Sequence, residues 1–121
     1  MSSKIRVILV VEDEWLLRLA IVEALREHGW SVLETSSGEG ALGYLRNGEQ
    51  ISLVVTDIQL SGDLDGWEMA AAFRDHSSDL PIIYASGTPR QLDREVPGSV
   101  FLKKPLHMDA LLGACQKLLA A

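Results

Sequence analysis

Residues 5–14 read Ile5-Arg6-Val7-Ile8-Leu9-Val10-Val11-Glu12-Asp13-Glu14. An unbroken aliphatic run, Val7 to Val11, leads straight into a cluster of carboxylates. Val, Ile and Leu without polar alternation mark a strand buried on both faces, as in a parallel sheet covered by helices. The acids then fall where that strand leaves the sheet. Outward from this stretch, a first strand is expected over 5–11, followed by short apolar runs at 32–33, 53–56, 81–85 and 100–102.

Helical spacing fills most of the intervals. Leu17, Ala20, Ile21, Ala24 and Leu25 form one stripe that Gly29 ends. A second helix is expected to open on Ser36-x-x-Glu39 as a capping box, to carry Ala41, Leu42 and Leu45, and to stop at Asn47-Gly48. A third begins near Asp65-Gly66, where Asp65 and Glu68 have capping-box spacing, and buries Met69, Ala70 and Phe73. The last presents Met108, Leu111, Leu112, Cys115, Leu118 and Leu119 at helical spacing. Between Gly87 and Gly98 the pattern is poor, with Pro89 and Pro97 and little periodic apolar surface, so at most one short helix fits. The alternation predicts one doubly wound α/β domain of (βα)5 type, with right-handed crossovers favouring strand order 2-1-3-4-5.

Composition sets the outer limits. The chain has 121 residues, 47% hydrophobic and 23% charged, enough for one core and too short for a second domain. A net charge of −6 argues against binding nucleic acid through bulk electrostatics. No apolar run is long enough to span a membrane, and the first residues do not resemble a signal peptide. A lone cysteine, Cys115, forms no internal disulfide, and its place on an apolar stripe marks it as core. The histidines His28, His76 and His107 lack ligand spacing for zinc. A cytoplasmic protein is the expectation.

In an open parallel sheet, ligands bind beyond the carboxyl ends of the strands. Those ends carry Glu12-Asp13-Glu14, Asp57, Ser86 and Lys103-Lys104-Pro105. Taken singly, each has an ordinary reading as a helix cap, a turn residue or a solvated charge. Taken together they place a carboxylate cluster, an isolated Asp, a hydroxyl and a lysine on one edge. Clustered carboxylates repel one another and favour a hard divalent cation with oxygen ligands, for which Mg²⁺ is suited. A carboxylate beside such a cation is a nucleophile for phosphoryl transfer, and an ammonium and a hydroxyl neutralise the equatorial oxygens. No Gly-rich phosphate loop is present, so the phosphoryl group is expected on another molecule rather than on a bound nucleotide.

Val10-Val11-Glu12-Asp13-Glu14, Val55-Thr56-Asp57, Tyr84-Ala85-Ser86-Gly87 and Lys104-Pro105 resemble the bacterial response-regulator receiver domain, over the whole chain and in order. The resemblance implies a flavodoxin-like fold. It also implies that Asp57 is the phospho-acceptor and Asp13 a direct Mg²⁺ ligand, with Glu12 behind it and the backbone carbonyl of Gln59 as a third ligand. Ser86 and Phe101 match the switch positions. Lys104 matches the phosphoryl-pairing lysine, and its bond to Pro105 is cis in the family. Lys103 competes for that role, but strand alternation sends neighbours to opposite faces, and the residue before Pro is favoured.

Two stretches depart from the family pattern. After Asp57, Leu60-Ser61-Gly62-Asp63-Leu64-Asp65-Gly66 lacks the usual Pro and is one residue longer. Asp63 there reads more readily as a solvated turn residue than as an acid behind the site. The interval from Ser86 to Lys104 is short, which resembles a subgroup with a reduced fourth helix, many of whose members stand alone. The expected organisation is a single receiver unit over residues 1–121 with no effector domain.

The leading expectation is a phosphorylation-dependent switch fed by a histidine kinase or phosphotransferase and read by an unknown downstream protein, with homodimerisation open. It is not expected to be an enzyme beyond self-catalysed phosphoryl transfer and autodephosphorylation. A phosphate sink and a phosphorylation-independent interaction module are the alternatives. A small-molecule phosphatase fits less well, because Glu12-Asp13-Glu14 breaks the usual Asp-x-Asp pattern and no insertion is long enough for a substrate cap.

Overall fold

The computed structural model describes residues 5–120. Strands β1 (Val7–Val11), β2 (Ser31–Thr35), β3 (Leu53–Thr56), β4 (Ile82–Ser86) and β5 (Val100–Lys103) alternate with helices α1 (Trp15–Glu27), α2 (Gly38–Arg46), α3 (Gly66–His76) and α4 (Met108–Leu119). All neighbouring strands pair in parallel, in the order β2-β1-β3-β4-β5. The predicted topology is the one observed.

The sheet's two faces follow from the period of two along each strand. Ile8 and Val10 of β1 join Val55 of β3 and Ile83 of β4 in one cluster, closed by Ile21, Val22 and Leu25 of α1 and Leu111, Cys115 and Leu119 of α4. Leu9 and Val11 turn the other way, meeting Val54, Ile82 and Tyr84 under Ala41 of α2 and Met69, Ala70 and Phe73 of α3. Cys115 is fully buried, and burial pushes its thiol up to about 12. Asp65 and Glu68 form the expected capping box at the start of α3.

Among the described residues the β4–β5 crossover, 87–99, contains no helix, within the expected limit of at most one short helix, so four helices flank the sheet. Side chains with no helical period hold it instead. Val96 is buried and its N–H donates to the Tyr84 hydroxyl (3.2 Å), while the Arg94 guanidinium lies 5.6 Å over the Trp67 ring. Two expectations are corrected. Strand edges move: β1 begins at Val7 with Ile5 exposed, and β2 reaches Thr35 because every residue from Ser31 finds a register partner on β1. Finally, α2 is capped by Ser37, whose hydroxyl accepts the Gly40 N–H at 3.0 Å. Glu39 does not close a box onto Ser36; its carboxylate accepts the Asp63 N–H at 2.9 Å.

Candidate functional site

Strand register assembles the site. Val11 lies opposite Thr56, so the next residues, Glu12 and Asp57, leave the sheet side by side, and the Asp57 N–H still donates to the Val11 carbonyl at 3.0 Å. On the far side of β4, Ser86 pairs with Lys103, and the Lys104 N–H donates to the Ser86 carbonyl at 2.9 Å. Lys104 thereby turns its side chain back across the edge. Its ammonium donates to Asp57 Oδ2 at 2.7 Å and to Glu12 Oε1 at 2.9 Å. Lys103 stays exposed.

Glu12, Asp13 and Asp57 each offer a carboxylate oxygen, and these oxygens lie within 4.8 Å of one another. Glu12 and Asp57 are buried, whereas Asp13 faces solvent. Backbone donors hold both buried acids: Ile58 N–H to Asp57 Oδ1 at 2.6 Å, and Glu14 N–H to Glu12 Oε2 at 3.0 Å. Burial pushes the Glu12 carboxyl above the usual carboxylate range, against the pull of Lys104. Burial also works against the Lys104 ammonium, but its bonds to Asp57 and Glu12 outweigh that and hold it above the ordinary lysine value. Glu12 and Asp57 share the Lys104 ammonium, and the three clustered carboxylates suit a hard cation such as Mg²⁺ at the open, Asp13 side.

A cleft of about 390 Å³ opens beside Asp57, lined also by Gln59, Ser86, Gly87, Thr88, Pro89 and Lys104. Ser86 is buried; its Oγ accepts the Thr88 N–H at 3.1 Å, which leaves the hydroxyl proton free to donate. Phe101 stands apart from this cleft, half-buried, its ring 6.3 Å from the Tyr84 ring and the Arg90 guanidinium 5.7 Å from its centroid. Asp63 is exposed, as its turn reading anticipated. The Lys104–Pro105 bond is cis.

Two supporting residues escape sequence reasoning. Arg18 donates to the Glu12 carbonyl at 2.7 Å and pairs with Glu34 at 3.1 Å, fixing the turn that carries the acids. Gly66 donates its N–H to the Ile58 carbonyl at 2.7 Å, and a Cβ there would overlap the Asp57 carbonyl oxygen. The Asp65-Gly66 pair signals a helix start in the sequence, but not this close approach.

The chain matches the response regulator receiver domain over residues 8–116 and belongs to that family. It is 35% identical over 129 residues to a probable transcriptional regulatory protein of Picosynechococcus, covering 98% of this chain and 51% of that protein. The chain thus spans about half the length of that relative. A crystal structure of a response regulator receiver protein from Sinorhizobium medicae superposes with a TM-score of 0.92 at 35% identity, covering 99% of this chain and 98% of that one. The response regulator TrrA of Thermotoga maritima, solved in complex with Mg²⁺-BeF, gives a TM-score of 0.84 at 29% identity over 95% of this chain and all of that one. Family membership places the chain in phosphorylation-dependent two-component signalling.

Proposed function

We propose that the chain accepts a phosphoryl group from a histidine kinase or phosphotransferase onto Asp57, in a Mg²⁺-dependent step, and so acts as a reversible switch in the cytoplasm. The observation that carries this is the Lys104 ammonium bridging Glu12 and Asp57 beside the open Asp13 carboxylate. Asp13, Asp57 and the Gln59 carbonyl would hold the cation, with Glu12 behind them. Bound there, Mg²⁺ supplies positive charge against the phosphoryl oxygens and lowers repulsion among the acids.

The chain's own groups do the rest. An Asp57 carboxylate oxygen attacks phosphorus, an O–P bond forms, and the P–N bond of the donor phosphohistidine breaks with its electron pair returning to the imidazole. Lys104 is already at hydrogen-bond distance from the acceptor carboxylate, so its charge needs no reorganisation. The Ser86 hydroxyl, on the same cleft, donates to a phosphoryl oxygen and reports the modification to Phe101 through the β4–β5 edge. Attack by water on phosphorus then breaks the O–P bond and restores the carboxylate. The chain catalyses nothing beyond these self-directed steps.

Incubation with acetyl phosphate and Mg²⁺, followed by intact mass measurement, tests the proposal. One phosphoryl adduct is expected, absent without Mg²⁺ and absent in Asp57→Asn. Rapid acetyl phosphate turnover with no adduct, or an adduct that survives Asp57→Asn, contradicts it.

A further inference from the structure

The connection between β3 and α3 runs from Asp57 to Gly66 and carries Gln59 on the rim of the cleft. It is the stretch that departs from the family spacing by an added residue and a missing proline. A proline would fix φ and narrow the loop's alternatives. Here Ser61, Gly62 and Asp63 are all exposed, so the apolar core does little to hold the tip.

The first turn of α2 holds it instead. The Glu39 carboxylate accepts the Asp63 N–H at 2.9 Å. That bond, with the N–H groups of Glu39 itself and Leu64, keeps the Glu39 carboxyl below its usual range despite a small opposing cost of desolvation. Gly62 has φ +93°, a conformation side chains disfavour, and the Glu39 carboxylate fills the space where its Cβ would stand. Ser61 adds a bond from its hydroxyl to the Ser36 carbonyl at 3.1 Å, and a parallel bridge joins Ser61 to Ser37. The base of the loop is fixed separately, by Ile58 N–H on Asp57 Oδ1 and Gly66 N–H on the Ile58 carbonyl. The clamp and the base together leave Gln59 on a segment tied at both sides.

We propose that Glu39 is a positioning residue for the divalent-cation site: its carboxylate clamps the lengthened loop through Asp63 and Gly62, and so presents the Gln59 carbonyl beside Asp57. The proposal rests on the Mg²⁺ reading above and adds to it a residue outside the cleft. Glu39 touches neither the cation nor the phosphoryl group. It acts through the loop.

Mg²⁺ titration of the full chain followed by tryptophan fluorescence tests this, together with hydrogen exchange of the 59–65 amides. The variants are Glu39→Ala, Glu39→Gln, and Glu23→Ala as an exposed α1 control that removes the same charge. Glu39→Ala is expected to weaken Mg²⁺ binding about three- to tenfold, the scale of one partly exposed charge-assisted hydrogen bond, and to speed exchange of the loop amides. Glu39→Gln retains an acceptor for the Asp63 N–H and is expected within about twofold of wild type. Glu23→Ala is expected to match wild type. At saturating Mg²⁺, Glu39→Ala should phosphorylate from acetyl phosphate at the wild-type rate, placing the loss in metal affinity rather than in the chemical step.

Wild-type Mg²⁺ affinity in Glu39→Ala overturns the clamp while leaving the metal site standing. Equal weakening in Glu39→Ala and Glu23→Ala, or in Glu39→Ala and Glu39→Gln, overturns it too, because bulk charge would then explain the effect. A wild-type chain that binds no Mg²⁺ overturns the metal site itself, and the clamp's purpose with it.

Discussion

Lys104→Met removes the ammonium at the centre of the site while keeping an apolar stem of similar length. The perturbation leaves Glu12 and Asp57 facing each other, with side chains only 3% and 10% exposed, and no cation between them. At an effective dielectric of about 20, one unit pair at about 4 Å is worth about 4 kcal/mol, and desolvation offsets much of that. Deleting one partner of a buried pair costs about 3–5 kcal/mol. The Lys104 side chain keeps 20% of its exposure, and Glu12 can escape by taking a proton, so a loss of about 2–3 kcal/mol is expected. For a chain of 121 residues that lowers Tm by about 10 °C. The sign with pH follows from the raised pKa values. Lys104, held above its ordinary value, contributes fully at neutral pH and loses that contribution only as pH rises through its folded pKa. Glu12, also raised, is protonated more readily in the folded state, so acidification toward the carboxylate range relieves the variant. Thermal denaturation by circular dichroism should show the largest gap at pH 7 in EDTA. The gap should shrink at mildly acidic pH and on adding Mg²⁺. A variant that melts within about 2 °C of wild type at pH 7 in EDTA refutes the reasoning.

Asp13→Asn should stabilise the metal-free protein by about 0.5 kcal/mol, because an exposed charge is removed from beside two buried carboxylates, and should abolish the fluorescence response to Mg²⁺; urea denaturation and titration check both halves. Gly66→Ala should cost about 2–4 kcal/mol and disturb the site, since the new methyl meets the Asp57 backbone rather than a flexible side chain; urea midpoints and Mg²⁺ titration are the readouts. Cys115, buried with its thiol pushed up to about 12, should not react with a disulfide reagent at pH 8 in the native state, and should react once per chain in guanidinium.

The residues at the strand ends were legible because a parallel sheet leaves little freedom there. Once the aliphatic runs are read as strands in one sheet, Glu12, Asp57, Ser86 and Lys104 must emerge on one edge. Lys103 ends β5 and stays exposed, while Lys104, the next residue, turns back onto the acids. What the sequence hid has no period. The β4–β5 crossover is held by the Tyr84 hydroxyl on the Val96 N–H and by Arg94 over Trp67, contacts between distant positions that leave no local pattern. Ser36 and Ser37 are adjacent and both suited to capping α2. Ser37 takes the cap, and Glu39, the other half of a Ser36 box, reaches across to the β3–α3 loop instead. Gly66 looks like an ordinary helix start until Asp57 is seen to pass against it.

A crystal of the chain soaked with Mg²⁺ and beryllium fluoride would probe the central claim most directly. The expected density joins beryllium to an Asp57 carboxylate oxygen, with Mg²⁺ on Asp13, Asp57 and the Gln59 carbonyl, and with Lys104 and Ser86 on the fluorides. Density bound elsewhere, or an Asp57 side chain that bears no fluoride while Mg²⁺ is absent from the acids, would contradict it.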